Sequence, residues 1–323
     1  MRSCWSLRRW ASQPCLKENS SPKGISLLMF SSTIIPTIGR ATLARAVLSV
    51  LEQDFDADDF EVIVVNDSGQ PLPEEDWQRS PRVRVIETQR RERSVARNTG
   101  AAIAKGKYLH FLDDDDILLP GALRVFWELS HKNPNADWLY GSWRTVDNDG
   151  NQVDEFHPGL TGNIFALLVS GEGLPLQASL LKTSSFFMAG GYDPTPILTG
   201  VEDRDVGRRL AFMGTLAFAP IVVAQVRIGE VGSSTNWNKI AEGDRWGREK
   251  ALQTPNSYRR MRDSATSRYW RGRVSRAFFA SMVWNLKQRN LFLALSRLTD
   301  GLTMTGLNLF FPEFWRGLGT KIQ

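Results

Sequence analysis

This 323-residue sequence predicts an α/β fold: a mixed, mostly parallel sheet flanked by helices, with a helical extension at its C-terminus. Three observations carry that prediction. From Ile25 onward, apolar and β-branched runs alternate with segments of helical period, as βαβ units require. Polar and turn residues break off each run abruptly, on what must be one edge of a parallel sheet. Near residue 239 the composition changes to arginine-rich and helical, which divides the chain into a tail (1–23), a main domain (24–238) and a C-terminal region (239–323).

The run ending in Ile34 and Ile35 predicts the first strand, closed by Pro36-Thr37 and the turn residue Gly39. Leu43, Val47, Val50 and Leu51 follow at helical spacing. Phe60 to Val65 is a second strand, ended by Asn66-Asp67-Ser68-Gly69, and Val83 to Glu87 a third. Ser94 to Lys105 reads as a small-residue helix stopped by Gly106. Tyr108 to Leu112 is the fourth strand, and Pro120 suits the first turn of the helix after it.

Between that strand and that helix lie Asp113, Asp114, Asp115 and Asp116. Four adjacent carboxylates repel one another unless a cation or hydrogen-bond donors compensate. A hard divalent ion, Mg²⁺ or Mn²⁺, is the simplest compensation, because it takes oxygen ligands and is often held by one or two carboxylates plus substrate phosphates. The competing reading is a solvated acidic loop that caps the next helix. Thr37, Asp67, Arg93, Arg97 and the aspartates all fall at the carboxyl ends of predicted strands, the edge where open α/β sheets bind ligands. Each alone is an ordinary turn or helix face. Together they suggest a nucleotide pocket in which Asp67 accepts hydrogen bonds and Arg93 and Arg97 offset phosphate charge.

A net charge of +5 and a pI near 9.3 are compatible with a phosphorylated substrate, an anionic membrane surface or nucleic acid. The only cysteines, Cys4 and Cys15, exclude a disulfide framework, and three histidines make a histidine-rich metal site a poor expectation. Residues 1–23 read as a disordered basic extension without a secretory signal, a reading preferred to an organellar transit peptide, and no apolar run reaches the length of a membrane span.

The series TIIPTIGR, EVIVVNDSG, RSVARNTGAAIAKGKYLHFLDDDD and GGYD…GVEDRDVGRRL resembles the family-2 glycosyltransferases, from about Ser26 to Ser234. The resemblance implies a GT-A fold, a nucleotide-sugar donor and transfer with inversion. It further implies that Pro36, Thr37 and Asp67 contact the nucleoside and that Arg97 stands in the A-R-N-x-G motif. Asp113 and Asp115 match the D-x-D metal motif, with Asp116 behind them. Arg93, Asp113 and Asp114 complete the donor-binding set. A uridine diphosphate sugar is the commonest family donor, and Mn²⁺ or Mg²⁺ the usual ion. The implied acceptor is a glycan or a lipid-linked glycan. The implied setting is bacterial polysaccharide assembly at the cytoplasmic face of a membrane. The basic residues among aromatics beyond residue 239 would also suit single-stranded nucleic acid, but the acidic edge argues against nucleic acid as a partner.

Asp147 to Gly150 predicts a hairpin turn, so the sheet becomes mixed here, and Gly162 to Gly173 a short helix and loop. GVEDRDVGRRL opens a helix with Val206 and Leu210 turned to the core. At its amino end stand Glu202 and Asp203, either of which is a helix-capping acid or a general base. Asp203 matches the family's base position, with Glu202 positioning the acceptor and Asp205 the second choice of base. Arg227, Ser233, Ser234 and Thr235 fall where relatives close a loop over the diphosphate, and Arg227 either offsets phosphate charge or anchors that loop. Arg245, Arg248, Arg259, Arg260, Arg262, Arg268, Arg271, Arg273 and Arg276 make the next segment basic, and Val274, Phe278, Met282 and Leu286 predict a long amphipathic helix. That region either packs on the main domain with a solvated basic face or docks on anionic lipid through Leu309, Phe310, Phe311, Phe314 and Trp315. Two other functions stay open: a catalytically silent nucleotide-sugar or glycan-binding module, and a nucleotidyl or phosphoryl transferase, for which the sequence lacks a glycine-rich phosphate loop.

Overall fold

The computed structural model describes residues 29–55, 60–89, 92–228 and 236–320; the N-terminal extension and Ser233 to Thr235 lie outside them. Among the described residues, nine strands form one sheet. Its first half is parallel: β1 (Met29–Thr37), β2 (Phe60–Asn66), β3 (Val83–Glu87) and β4 (Gly106–Phe111) lie in the order β3-β2-β1-β4. Because β2 and β4 flank β1 on opposite sides, the chain reverses direction across the sheet there. A crevice opens at such a switch point, beyond the carboxyl ends of the strands.

Two helices cover this half. α1 (Leu43–Leu51) buries Leu43, Ala46, Val47 and Val50 on one side, as its period predicts. α2 (Arg93–Ile103) lies close enough that a Cβ on Gly100 would stand 2.6 Å from Cγ2 of Ile34, so only glycine fits at that contact. Gly106 opens β4 rather than closing α2, whose last residue is Ile103. The reason is the close approach of two backbones: a Cβ there would meet the Ser32 nitrogen at 2.4 Å.

After the aspartates the chain departs from the expected helix start. Ile117 and Leu118 form a two-residue strand, β5, antiparallel to a later strand, and α3 (Ala122–Lys132) begins two residues beyond Pro120. Burial of Leu118 and a hydrogen bond from its amide to Ser49 hold this strand in place. The mixed half then follows: β6 (Trp138–Val146), β7 (Gln152–Phe156), α4 (Phe165–Val169), β8 (Ser179–Lys182), α5 (Thr183–Met188), α6 (Glu202–Met213) and β9 (Leu216–Arg227). The turn at Asp147 to Gly150 joins antiparallel β6 and β7; β8 runs antiparallel to both β4 and β6, and β9 parallel to β6 and antiparallel to β5. Val206 and Leu210 of α6 are buried.

Five helices complete the described chain: α7 (Trp237–Gln253), α8 (Ser257–Ser264), α9 (Arg268–Lys287), α10 (Leu291–Thr305) and α11 (Pro312–Gly319). Several arginines of the basic segment are buried ties. Asp244 of α7 accepts from Arg208 of α6 at 2.5 Å and from Arg248 at 2.9 Å. These guanidiniums hold its carboxyl well below the ordinary range despite burial. Arg273 pairs with Glu172 at 3.0 Å. On α9, Val274 and Phe278 are buried but Leu286 is exposed. α11 nests against α9 at glycines, since a Cβ on Gly272 would meet the Phe314 carbonyl at 2.1 Å. This contact buries Phe314, which therefore drops out of the expected exposed edge, and the Phe311 ring lies under Arg268 at 3.6 Å. Among the described residues, no helix is long and apolar enough to cross a membrane.

Candidate active site

A cleft of about 480 Å³ opens at the carboxyl ends of β1, β2 and β4. It is lined by Pro36, Thr37, Asp67, Arg93, Arg97 and all four aspartates, which the sequence places on four separate loops. That volume suits a ligand of nucleotide size. Asp67 sits at the end of β2, where its carboxylate accepts from the Thr88 hydroxyl at 2.7 Å and the Glu92 amide at 3.0 Å. Glu92 in turn caps α2, accepting from the Ser94 amide at 3.0 Å.

The four aspartates divide into two roles. Ligand atoms of Asp113, Asp115 and Asp116 lie within 4.8 Å of one another. Asp114 is turned aside, accepting from the Thr37 hydroxyl at 2.6 Å and Arg40 at 2.8 Å. Thr37 therefore faces the acids as well as the cleft. Arg40 also reaches Asp115 at 3.0 Å, and Asp116 accepts from the Arg227 amide at 2.7 Å.

Crowding shows in the acidities. Burial, then Asp113, pushes the Asp116 carboxyl well above its ordinary value, and the same two causes raise Asp115. Burial acts on Asp113 too, but the Arg97 guanidinium at 2.7 Å overrides it and holds that carboxyl low. Three converging oxygen donors, two of them disfavoured as free anions, fit a hard divalent cation and offer nothing to a soft one.

Glu202 and Asp203 do not line this cleft. The bridge to them is Arg97, buried on α2, whose guanidinium reaches Asp113, Glu202 at 3.1 Å and Asp203 at 3.7 Å. Although burial works against its charge, these acids raise the Arg97 pKa well above the usual value. Expected beside an acceptor, Glu202 is instead buried: its oxygens take Arg97 and, at 2.6 Å, the Gly200 amide. It fixes the amino end of α6 and the Arg97 geometry. Asp205 faces elsewhere, bound by Arg209 at 2.6 Å and Lys250 at 3.4 Å.

Asp203 opens into a second cavity of about 250 Å³, shared with Trp138, Glu172, Arg204 and Gln177. Burial raises its carboxyl to about 6, in spite of Arg97 and with Glu202 adding to the rise. Gln177 lines both cavities and donates to Asp113 at 3.0 Å. Beneath it lies His110, buried, with its pKa lowered to about 4 by that burial. Its Nε2 is 2.9 Å from the Gln177 carbonyl, which can only accept, so Nε2 carries the proton and Nδ1 accepts from Thr33 at 3.2 Å. Neutral His110 is thus a support for Gln177.

Sequence reasoning missed Arg40 and Gln177. Arg40 stands in the quoted TIIPTIGR segment, three residues past Thr37, and no pattern marks it as the partner of acids 74 and 75 positions away. Arg227 lines the cleft, and its guanidinium donates to the Asn148 carbonyl in the β6–β7 turn at 2.6 Å.

Comparison with known proteins adds four findings. The sequence profile described as Glycosyl transferase family 2 matches residues 32–165. The poly(ribitol-phosphate) beta-N-acetylglucosaminyltransferase TarP of Staphylococcus aureus (strain N315) is 32% identical over 128 residues, 38% of this chain and 38% of TarP. The GalNAc(5)-diNAcBac-PP-undecaprenol beta-1,3-glucosyltransferase of Campylobacter jejuni is 30% identical over 169 residues, 49% of this chain and 47% of that protein. The alignments thus span less than half the length of either relative. Among solved structures, residues 1–349 of S. aureus TarS in complex with UDP-GlcNAc superpose with a TM-score of 0.59 at 14% identity, covering 86% of this chain and 92% of that one. At that identity the likeness is one of fold, and the fold is GT-A.

Proposed function

The chain belongs to glycosyl transferase family 2, and from that premise we propose that it moves a sugar, with inversion, from a nucleotide-diphosphate donor to a hydroxyl of a glycan or lipid-linked acceptor. One observation carries the reading. A cleft of nucleotide size holding the acids and Arg97 adjoins a second cavity holding Asp203, and Gln177 forms the wall between them. One cavity takes the donor and the other the acceptor. Relatives named for N-acetylglucosaminyl and glucosyl transfer support the class of reaction, and the TarS complex makes a uridine diphosphate sugar the first donor to test.

In this reading Asp67 accepts from the nucleoside, with Pro36 and Thr37 beside it, and Arg93 faces the phosphates. Asp113, Asp115 and Asp116 are the residues that would hold Mn²⁺ or Mg²⁺. When bound, such an ion offsets negative charge on the departing diphosphate. Arg97 keeps Asp113 ionised and fixes Asp203 relative to it. The acceptor oxygen attacks the anomeric carbon as the bond to the diphosphate oxygen breaks, and the Asp203 carboxylate takes the hydroxyl proton. A carboxyl raised to about 6 is ionised near neutrality and is a stronger base than an ordinary aspartate. One displacement gives inversion. The setting we assign is the cytoplasmic face of a membrane, with the protein attached peripherally.

The test is donor turnover: release of nucleotide diphosphate from a panel of nucleotide sugars, with Mn²⁺ or Mg²⁺ and candidate lipid-linked and free glycans. Acceptor-stimulated release that Asp203→Asn abolishes supports the reading. Tight binding of one nucleotide sugar without turnover under any acceptor would favour a silent binding module.

A further inference from the structure

The helical region presents an apolar face that no described residue covers. Leu291, Phe292, Leu295 and Leu302 on α10, with Leu307 and Phe310 in the turn that follows, are between 58% and 82% exposed. Leu291, Leu295 and Leu302 fall at i, i+4 and i+11, one line along the helix. Neither charged residue of α10 interrupts it: Arg297 is buried against Glu249 at 2.8 Å, and Asp300 is held by Arg297 at 3.2 Å. Scattered exposed leucines are ordinary, but six large apolar side chains within twenty residues, more than half exposed, mark an interaction surface.

Charge identifies the occupant. From Trp237 onward the sequence has sixteen Lys and Arg against six Asp and Glu, whereas the whole chain has 40 against 35. This region is therefore strongly positive, whereas residues 24–236 are net negative. Exposed Lys287 and Arg289 stand at one end of α10, and exposed Arg316 follows on α11. Like charges disfavour a second copy of the chain against this face, and an anionic surface is favoured. An uncharged apolar stripe with cations at its ends is the pattern of a helix lying in the plane of a lipid interface.

We infer that α10 and the turn at residues 306–310 are the surface by which the protein adsorbs to an anionic lipid bilayer, with Lys287, Arg289 and Arg316 meeting the headgroups. The inference rests on the proposed membrane setting for its purpose. Its test involves neither donor nor acceptor, so the two readings fail separately.

The experiment is co-sedimentation of the full chain with phosphatidylcholine vesicles, with and without phosphatidylglycerol. Binding to the phosphatidylglycerol vesicles is expected, weakened by salt and at least several-fold weaker on phosphatidylcholine alone. Phe292→Ser with Leu295→Ser should reduce vesicle binding by about tenfold or more, given the apolar area each side chain buries. Lys287→Gln with Arg289→Gln should reduce it several-fold and flatten the salt dependence. All four positions are exposed, so an unchanged melting curve confirms that each variant is folded. Absence of binding to phosphatidylglycerol vesicles, or binding that neither pair of substitutions alters, overturns the inference. So does a concentration-dependent dimer, seen by sedimentation velocity, that Phe292→Ser with Leu295→Ser abolishes, because a second copy would then own the face.

Discussion

Titration of Asp203 ties the site's geometry to a rate. Its carboxyl is raised to about 6 because it is buried, and Glu202 adds to the rise that Arg97 opposes. A general base must be ionised, so kcat/KM should be flat above this value and fall by about tenfold for each pH unit below it. About nine tenths of the enzyme carries the ionised base one unit above, and about one tenth one unit below. An ordinary exposed aspartate would put the same limb about two units lower. Asp203→Asn should lower kcat by ~10²–10⁴-fold, the usual worth of a positioned base, and erase that limb. Stability separates chemistry from misfolding. A folded-state pKa raised above the ordinary value means that stability is lost as pH rises from the ordinary value through about 6. Removing the charge should therefore leave the neutral-pH Tm no lower than wild type. Initial rates from pH 5 to 9 with saturating metal decide the matter. A wild-type profile with no inflection near 6, or a variant with nearly full rate, would refute the assignment.

Three further predictions follow from named contacts. Arg97→Met removes the cation that Asp113 and Glu202 share, leaving Asp113 with Gln177 and Glu202 with the Gly200 amide and Arg93 at 3.5 Å, and should cost about 3 kcal/mol, the lower end for a broken buried pair because those partners remain and Asp113 is partly exposed; an unchanged denaturation midpoint would contradict the bridging role. Gly100→Ala forces a methyl to within 2.6 Å of Ile34 and should destabilise by ~1–3 kcal/mol through overpacking, measured by urea unfolding, while a neutral result would mean that α2 can lift off β1 freely. Asp115→Ala should weaken metal-dependent donor binding by about tenfold or more, whereas Asp205→Asn should leave it unchanged; equal effects in calorimetry would remove the distinction drawn between them.

Much of this site was legible because its residues sit where a period breaks. Phe60 to Val65 is apolar and β-branched apart from Glu61, so the turn after it had to lie at a sheet edge, and Asp67 with it. The same logic located Asp113 to Asp116. What the sequence hid was long-range pairing. Nothing local shows that Asp114 turns to Thr37 and Arg40, that Glu202 is consumed by Arg97 and the Gly200 amide, or that His110 holds Gln177 between two cavities. β5 was invisible because two residues carry no period. Phe314 looked exposed by composition, and its burial depends on a glycine contact across two helices.

The measurement that bears most directly on the donor cleft is calorimetric titration of the full chain with uridine diphosphate and its sugars, first with Mn²⁺ and then with a chelator, in wild type and in Asp113→Asn with Asp115→Asn. Saturable binding of one nucleotide sugar is expected with Mn²⁺, weakened by the chelator and alike by the double substitution. Binding of equal strength with the chelator present, or no binding of any nucleotide diphosphate by the folded protein, would contradict it.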